Sequence, residues 1–337
     1  MSLPALKMPS QATIQTYATS ANLGPLFDRA GAKLDGLYMT TSGQLTTAPG
    51  LSIVRSDGAY PIPTDETNLA HKVAGRIFDD YKIRDGLALS LTNDMKPGGL
   101  GTSGAGAVAV VELLNYLHNL GMTAEQKLDY ALEGEPNRHP DNVVPCMIGG
   151  VVLAAKVKGS EGQDHLVYSK LTPSPDLAYG VVIPLDIIKS GGTTEARKKV
   201  EALSHSNAEA VYLSGLAELM MMGLLEGNFE KIFESVKAYS EWEKSVTFVR
   251  NQPTEENPRG IYGIDVNRLN HGLEAVVGRE AIVTPSGAGP AMLVFTKDQE
   301  AAEKAISVLT ETYHMSGKRA RGFVASIRNK ESKDDFV

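Results

Sequence analysis

The sequence predicts an α+β fold of two domains, on three observations. Segments patterned as strands and as helices alternate through both halves of the chain. The length, 337 residues, exceeds what a single hydrophobic core serves well. The alternation breaks at "LTPSPDLA", where Pro173 and Pro175 interrupt it. That break divides the chain into residues 1–172 and 173–330.

Each element has its own signal. "ATIQTYA" alternates partly and reads as a first strand. "TSANLGPLFDRAGAKL" reads as a polar, turn-rich loop that becomes helical. "GLYMTTS" and "LSIVRSD" are short strands. "TDETNLAHKVAGRIFDDY" is a helix capped by Thr64 or Asp65, with Leu69, Val73, Ile77 and Phe78 as its apolar stripe. "GLALSLT" is a strand that feeds a glycine-rich turn and an apolar helix. "TAEQKLDYALE" is a further capped helix. "IGGVVLAAKV", "HLVYSKL" and "YGVVIPL" are strands, and residues 206–250, rich in Ala, Leu, Met and Glu, are helical. "EAIVTPSGAGPAMLVFT" is a strand, a glycine turn and then a strand or helix. "DQEAAEKAISVLTETY" is the last helix and "GFVASI" the last strand.

Composition narrows the function classes. Hydrophobic residues at 42% and charged residues at 22% suit a soluble globular protein. A net charge of -7 argues against a nucleic-acid surface and against a polybasic membrane anchor. No apolar run reads as a membrane span, and "MSLPALKMPSQ" lacks a signal-peptide core. Cys146 is the single cysteine, so an intrachain disulfide framework and a multi-cysteine zinc site are excluded. A reducing, cytoplasmic location fits that usage. Cys146 follows Pro145 and precedes "MIGGVVLAA", which suits packing rather than nucleophilic chemistry.

The informative stretch is "KPGGLGTSGAGAVAVVELLN", residues 96–115. Glycines crowded against a helix start mark either a tight turn or the close approach of a ligand. A helix N-terminus offers free N–H groups and a positive dipole end, which suits phosphate. The stretch is no Walker A loop, because Gly-Lys-Ser/Thr is missing from its end. "GLGTSG" has dinucleotide-motif spacing, but no early βαβ unit with a placed acidic residue supports it.

The stretch resembles the phosphate loop of the galactokinase, homoserine kinase, mevalonate kinase and phosphomevalonate kinase superfamily. Three more segments carry the resemblance. "ATSANLGPLFDRAG" is similar to the first signature of homoserine kinases. "HPDNVVP" followed by "GG" is similar to a second signature closely associated with them. "TPSGAGPAML" is similar to the third superfamily motif. The four occur in family order and span most of the chain, and "KPGGLGTSGA" is nearest to archaeal-type members. The resemblance implies an N-terminal ribosomal-protein-S5-like domain, a C-terminal ferredoxin-like domain and an active site in the cleft between them. It also implies a homodimer, ATP, Mg²⁺ and phosphorylation of a small alcohol, with L-homoserine, the precursor in threonine biosynthesis, as the expected acceptor. Mevalonate, pantoate or shikimate are alternatives, as is a non-catalytic nucleotide-binding member.

By the same resemblance, Lys96, Gly99, Leu100, Gly101, Thr102, Ser103 and Gly104 hold the nucleotide, with Asn68 near the adenine. Thr102 or Ser103 and a carboxylate, Glu133 with Glu135 as its rival, hold the metal. Arg197 in "TTEAR" and Arg259 in "NPRG" match positions that fork onto the acceptor carboxylate. Asn22, Asp28, His139, Asp141 and Asn142 match positions around the acceptor's amino group and hydroxyl, and Asn142 orients the hydroxyl. "HPDN" lacks a clear catalytic base, so direct in-line attack is expected. The family pattern is departed from at Leu26, at Thr102, at the shortened "KPGGLG" and at Gly106.

Overall fold

The structure, a computed structural model, describes residues 9–135, 138–159, 162, 164–187, 205–243 and 264–337. Two sheets organise it. The first is built on the long strand β2 (Ala30–Thr46), paired antiparallel along one edge with β1 (Gln11–Ala21). The other edge of β2 is shared. Met39 to Thr46 pair with β4 (Gly86–Asn93), and Ala30 to Ala32 pair with β5 (Val151–Lys158). β3 (Gly50–Asp57) lies parallel to β4, and β6 (Asp164–Leu171) lies antiparallel to β5.

The helices of the first half are α1 (Leu69–Tyr81), α2 (Thr102–Leu117), α3 (Ala124–Ala131) and α4 (Pro140–Ile148). α2 is buried along most of its length, from Gly104 through Leu117, which explains why it reads as apolar all round. α3 begins with a full capping box, Thr123 and Gln126 exchanging bonds with each other's backbone.

The second sheet has the order β10-β7-β9-β8 and is antiparallel throughout. Its strands are β7 (Ala178–Pro184), β8 (Ala281–Pro285), β9 (Met292–Thr296) and β10 (Ala320–Ala325). Helices α5 (Asn207–Glu226), α6 (Phe229–Trp242) and α7 (Val266–Val277) fall between β7 and β8, and α8 (Gln299–Met315) between β9 and β10. With four strands numbered along the chain, this is the order 4-1-3-2 of a ferredoxin-like unit.

The chain then returns to the first sheet. Leu34 bridges Ile327 on one edge of β2, and Ile14 bridges Phe336 on the outer edge of β1. Between those two bridges the tail crosses the sheet. There Lys33 Nζ meets Asp335 at 2.6 Å, both side chains fully shielded from solvent. Ser332 donates to Glu112 of α2 at 2.6 Å.

Three local expectations change. The stretch expected to turn helical after the first loop instead begins β2 at Ala30. The cap of α1 is Asn68, whose Oδ1 accepts from Ala70 N at 3.0 Å, rather than Thr64 or Asp65; Asp65 closes a local turn with Thr67. α5 is long and apolar enough to cross a membrane by length and composition, although the sequence reading found no such run. It buries Leu216, Ala217, Met220 and Leu224, while Val211, Tyr212, Met222 and Leu225 stay exposed.

Candidate active site

Residues 96–101 link β4 to α2, and their glycines are required by geometry. Gly98, Gly99 and Gly101 take φ of 114°, 93° and 64°, in the left-handed region that glycine tolerates. Space excludes other residues as well. A Cβ on Gly101 would lie 1.9 Å from Thr19 Oγ1, and one on Gly99 would lie 2.4 Å from the Ser286 carbonyl oxygen. Thr19 N donates to Leu100 O at 3.1 Å, Ala291 N to Gly98 O at 3.3 Å, and Ser286 Oγ to Gly99 O. The loop is thereby held between the end of β1 and the β8–β9 turn. Gly101 caps α2 with backbone alone, so no side chain competes for the first-turn N–H groups. That is the geometry of an anion cradle.

A second helix start faces it. Pro140 opens α4, His139 sits at its cap position with no side-chain bond to the helix's own N–H groups, and Asp141 lies buried in its first turn. α4 packs so close to β2 that a Cβ on Gly31 would lie 1.8 Å from the Asp141 carbonyl oxygen. Thr19 Oγ1 donates to Asn142 Oδ1 at 2.8 Å, which fixes the amide and leaves Nδ2 to donate elsewhere. Gly104 sits between the two halves. Its ideal Cβ would be 3.1 Å from Glu135 Oε1 and 3.4 Å from Asn142 Cβ.

The two candidate carboxylates separate cleanly. Glu135 accepts from Ser103 Oγ at 2.6 Å, beside the start of α2. Glu133 is held elsewhere, by Arg76 at 2.9 Å, by Lys72 at 3.1 Å and by Arg138. Three cations neutralise it. The expected metal carboxylate Glu133 is therefore committed to an ion-pair cluster, and its rival is the one that reaches the loop. Among the described residues, no group of three His, Cys, Asp or Glu side chains forms a cage for a metal ion. Mg²⁺ is commonly held by one or two protein oxygens together with substrate phosphates, and the Ser103–Glu135 pair supplies hard oxygen donors of that kind. Thr102 Oγ1, also expected at the metal, is buried without a hydrogen-bond partner.

Comparison with known proteins decides the family. Residues 68–150 match the GHMP kinases N terminal domain. A homoserine kinase of Methanopyrus kandleri is 32% identical over 227 residues, which is 66% of this chain and 71% of that protein. The chain belongs to the homoserine kinase family of the GHMP kinases. A homoserine kinase of Listeria welshimeri is 36% identical over 219 residues, covering 64% of this chain and 69% of its own length. The crystal structure of a homoserine kinase from Cytophaga hutchinsonii superposes with a TM-score of 0.77 over 98% of each chain, at 24% identity, and so supports the fold. Membership makes the protein an ATP-dependent kinase acting on a small molecule.

In this GHMP kinase several expected site residues make internal contacts that brace the loops around them. Lys96 does not point along the loop to the helix start. Its buried ammonium donates to Pro184 O at 2.9 Å and to Ile187 O. Burial pushes its pKa down from the usual lysine value, and nearby Asp186 opposes the shift. Leu100 is a core anchor, 1% exposed. Asn68 spends its side chain on the α1 cap and on Pro63 O at 2.7 Å. Asn22 holds Asp28 N with Oδ1 and Gly287 O with Nδ2, both at 3.0 Å, and so ties two motif segments together. Leu26, a departure from the family pattern, is 2% exposed and part of the core. Arg197 and Arg259 lie outside the described residues.

Thr19 and Ser286 were not among the expected site residues, yet they join the motif segments. Ser286 Oγ donates to the Gly99 carbonyl of the glycine loop and can accept from Ser20 Oγ, 2.8 Å away. Both sit inside motif segments visible in the sequence. What signals them is their position: small hydroxyl residues at strand ends, where glycine backbones approach.

Proposed function

We propose that the protein transfers the γ-phosphoryl group of ATP to the hydroxyl of L-homoserine, giving O-phospho-L-homoserine. The observation that carries this reading is the meeting of two helix starts, α2 and α4, across the Thr19–Asn142 hydrogen bond. One start offers uncapped N–H groups for phosphates; the other presents Asp141 and Asn142 within reach of the same space. The acceptor's identity comes from relatives at 32% and 36% identity named homoserine kinases.

The backbone N–H groups at Gly101 to Gly104 would bind the phosphates, and Ser103 with Glu135 would hold Mg²⁺. Bound there, Mg²⁺ would neutralise charge on the phosphate oxygens. Asn142 Nδ2 would orient the acceptor hydroxyl, with Asp28, His139 and Asp141 around the amino group and Arg197 and Arg259 on the carboxylate. The hydroxyl oxygen forms its bond to the γ-phosphorus as the bond to the β-bridging oxygen breaks. ADP leaves, and the hydroxyl proton passes to the transferred phosphoryl group. Positioning and electrostatic stabilisation then supply most of the acceleration. The exposed apolar side of α5 is compatible with a homodimer, which sedimentation would detect.

An ADP-release assay across homoserine, threonine, mevalonate, pantoate and shikimate tests the reading. Homoserine should give the highest kcat/KM. A higher value for any other acceptor would replace it.

A further inference from the structure

We propose that Lys96 is a positioning residue that sets the phosphate loop against the second sheet and so against Asn142. The proposal rests on the functional reading above and extends it to a residue that touches neither substrate. Two of the three N–H bonds of its ammonium are spent on main-chain carbonyls, Pro184 at the end of β7 and Ile187 just beyond it. The turn they belong to is itself rigidly fastened. Arg319 binds Asp186 through Nε at 2.8 Å and Nη2 at 2.6 Å, its backbone N–H donates to Asp186 Oδ2 at 2.7 Å, and Leu185 N donates to Arg319 O at 2.8 Å.

Lys96 thus ties the first residue of the glycine loop to a fixed corner of the other sheet. The middle of the loop, Gly98 and Gly99, is tied to the β8–β9 turn of the same sheet through Ala291 and Ser286, while Leu100 at its far end is held by Thr19 of β1. Anchored at Lys96, Gly98 and Gly99, the first half of the loop cannot shift relative to β7 without breaking a buried charged hydrogen bond. A latch of this kind fixes how the loop presents the nucleotide phosphates to Asn142, whose Oδ1 would lie 3.0 Å from a Cβ on Gly101. In-line transfer is sensitive to that placement at the ångström level.

Lys96→Met keeps the length of the stem and removes the donors; Lys96→Arg keeps a cation and donors. Titration calorimetry with Mg·ATP and steady-state kinetics are measured on wild type and both variants, with thermal stability alongside. We expect Lys96→Met to bind Mg·ATP within about threefold of wild type while kcat/KM for the acceptor falls about 100-fold. Lys96→Arg should recover part of that loss. If kcat/KM stays within about threefold of wild type while the melting temperature falls, Lys96 is only a structural peg and the proposal is wrong. If Mg·ATP binding weakens as much as acceptor use, Lys96 serves the phosphates directly, which also overturns it. Should homoserine prove a poor acceptor for wild type, the functional reading fails, and the latch is judged with the acceptor that the panel identifies.

Discussion

Ser103 Oγ donates a 2.6 Å hydrogen bond to Oε1 of Glu135, while Glu133, two positions earlier, faces three cations. A carboxylate already neutralised by Arg76, Lys72 and Arg138 is a poor ligand for a further cation. Glu135→Gln should therefore cost at least about 100-fold in kcat and raise the magnesium concentration needed for half-maximal rate. Glu133→Gln should stay near wild-type rate and lose at most about 1 kcal/mol of stability, because its ion pairs are partly solvent-screened. A magnesium titration of both variants checks this, and the reverse ranking would return the metal to Glu133.

Gly101 carries a φ of 64° and has Thr19 Oγ1 where a Cβ would go, at 1.9 Å. Gly101→Ala meets both obstacles. The left-handed conformation alone costs an L-residue about 1–2 kcal/mol, and the clash pushes the loop off β1. Mg·ATP affinity should fall at least about tenfold, read by calorimetry. Trimming the neighbour in a Gly101→Ala, Thr19→Ala double variant should recover part of it. Unchanged affinity in the single variant would show that phosphate does not sit at this helix start.

The fold was legible in the sequence where the signal is local. The period of α1 and the capped start of α3 need no distant contact to be read. The misread start of β2 has a tertiary cause: Ala30 to Ala32 are fixed as strand by pairing with β1 and β5, although alanine and glycine are both poor strand formers. The site was legible as segments, because glycine clusters and "HPDN" survive in one dimension. It was not legible as roles. Glu133 and Glu135 differ only in which side chains the fold brings to them, and the commitment of Lys96 to Pro184 and Ile187 spans the two sheets. The tail's return to β1 was missed for the same reason.

Cys146 is 1% exposed, and burial pushes its thiol up from a usual 9.0 to about 12. The folded state therefore holds the proton where the unfolded chain releases it. The resulting stability is fully present below pH 9.0 and is lost as the pH rises from 9.0 toward about 12. The stability difference between wild type and Cys146→Ala should shrink by up to about 1.4 kcal/mol per pH unit across that range. Urea titrations at about pH 8 and about pH 10 measure it, and a constant difference would mean that the thiol ionises equally in both states. Alkylation of native protein should also be slow and should track unfolding.

The role proposed for Arg197, from the "TTEAR" resemblance alone, is to hold the acceptor carboxylate. Arg197→Lys keeps the charge and loses the planar fork. A charged hydrogen bond is worth about 1.5–3 kcal/mol, so homoserine kcat/KM should drop roughly ten- to a hundredfold while Mg·ATP binding holds. Homoserine amide should be a poor substrate for wild type and should lose less on the same change. Equal losses for acid and amide would remove the carboxylate from the role of Arg197.

Lys33 and Asp335 form a 2.6 Å ion pair with both side chains at 0% exposure, 302 positions apart in the chain. Lys33 pairs across the sheet with Thr19, the residue that holds Asn142 and borders Gly101. Asp335 also receives Arg328, whose guanidinium lies 3.8 Å from the centre of the Tyr17 ring on β1. Asp335→Ala would strand the Lys33 charge in a place that water cannot reach, a change that costs about 3–5 kcal/mol when one partner of a buried pair is removed. Replacing both partners, Lys33→Met with Asp335→Leu, removes the stranded Lys33 charge and leaves Arg328 with Asp35 alone, so it should recover part of that loss, since a packed apolar pair often matches a buried ion pair. Urea midpoints of the three proteins measure the ranking. If the tail merely decorates the surface, Asp335→Ala will unfold at the wild-type midpoint. If it braces β1, the single variant will unfold early and will also show weaker Mg·ATP binding, because the strand it loosens carries Thr19 to the glycine loop.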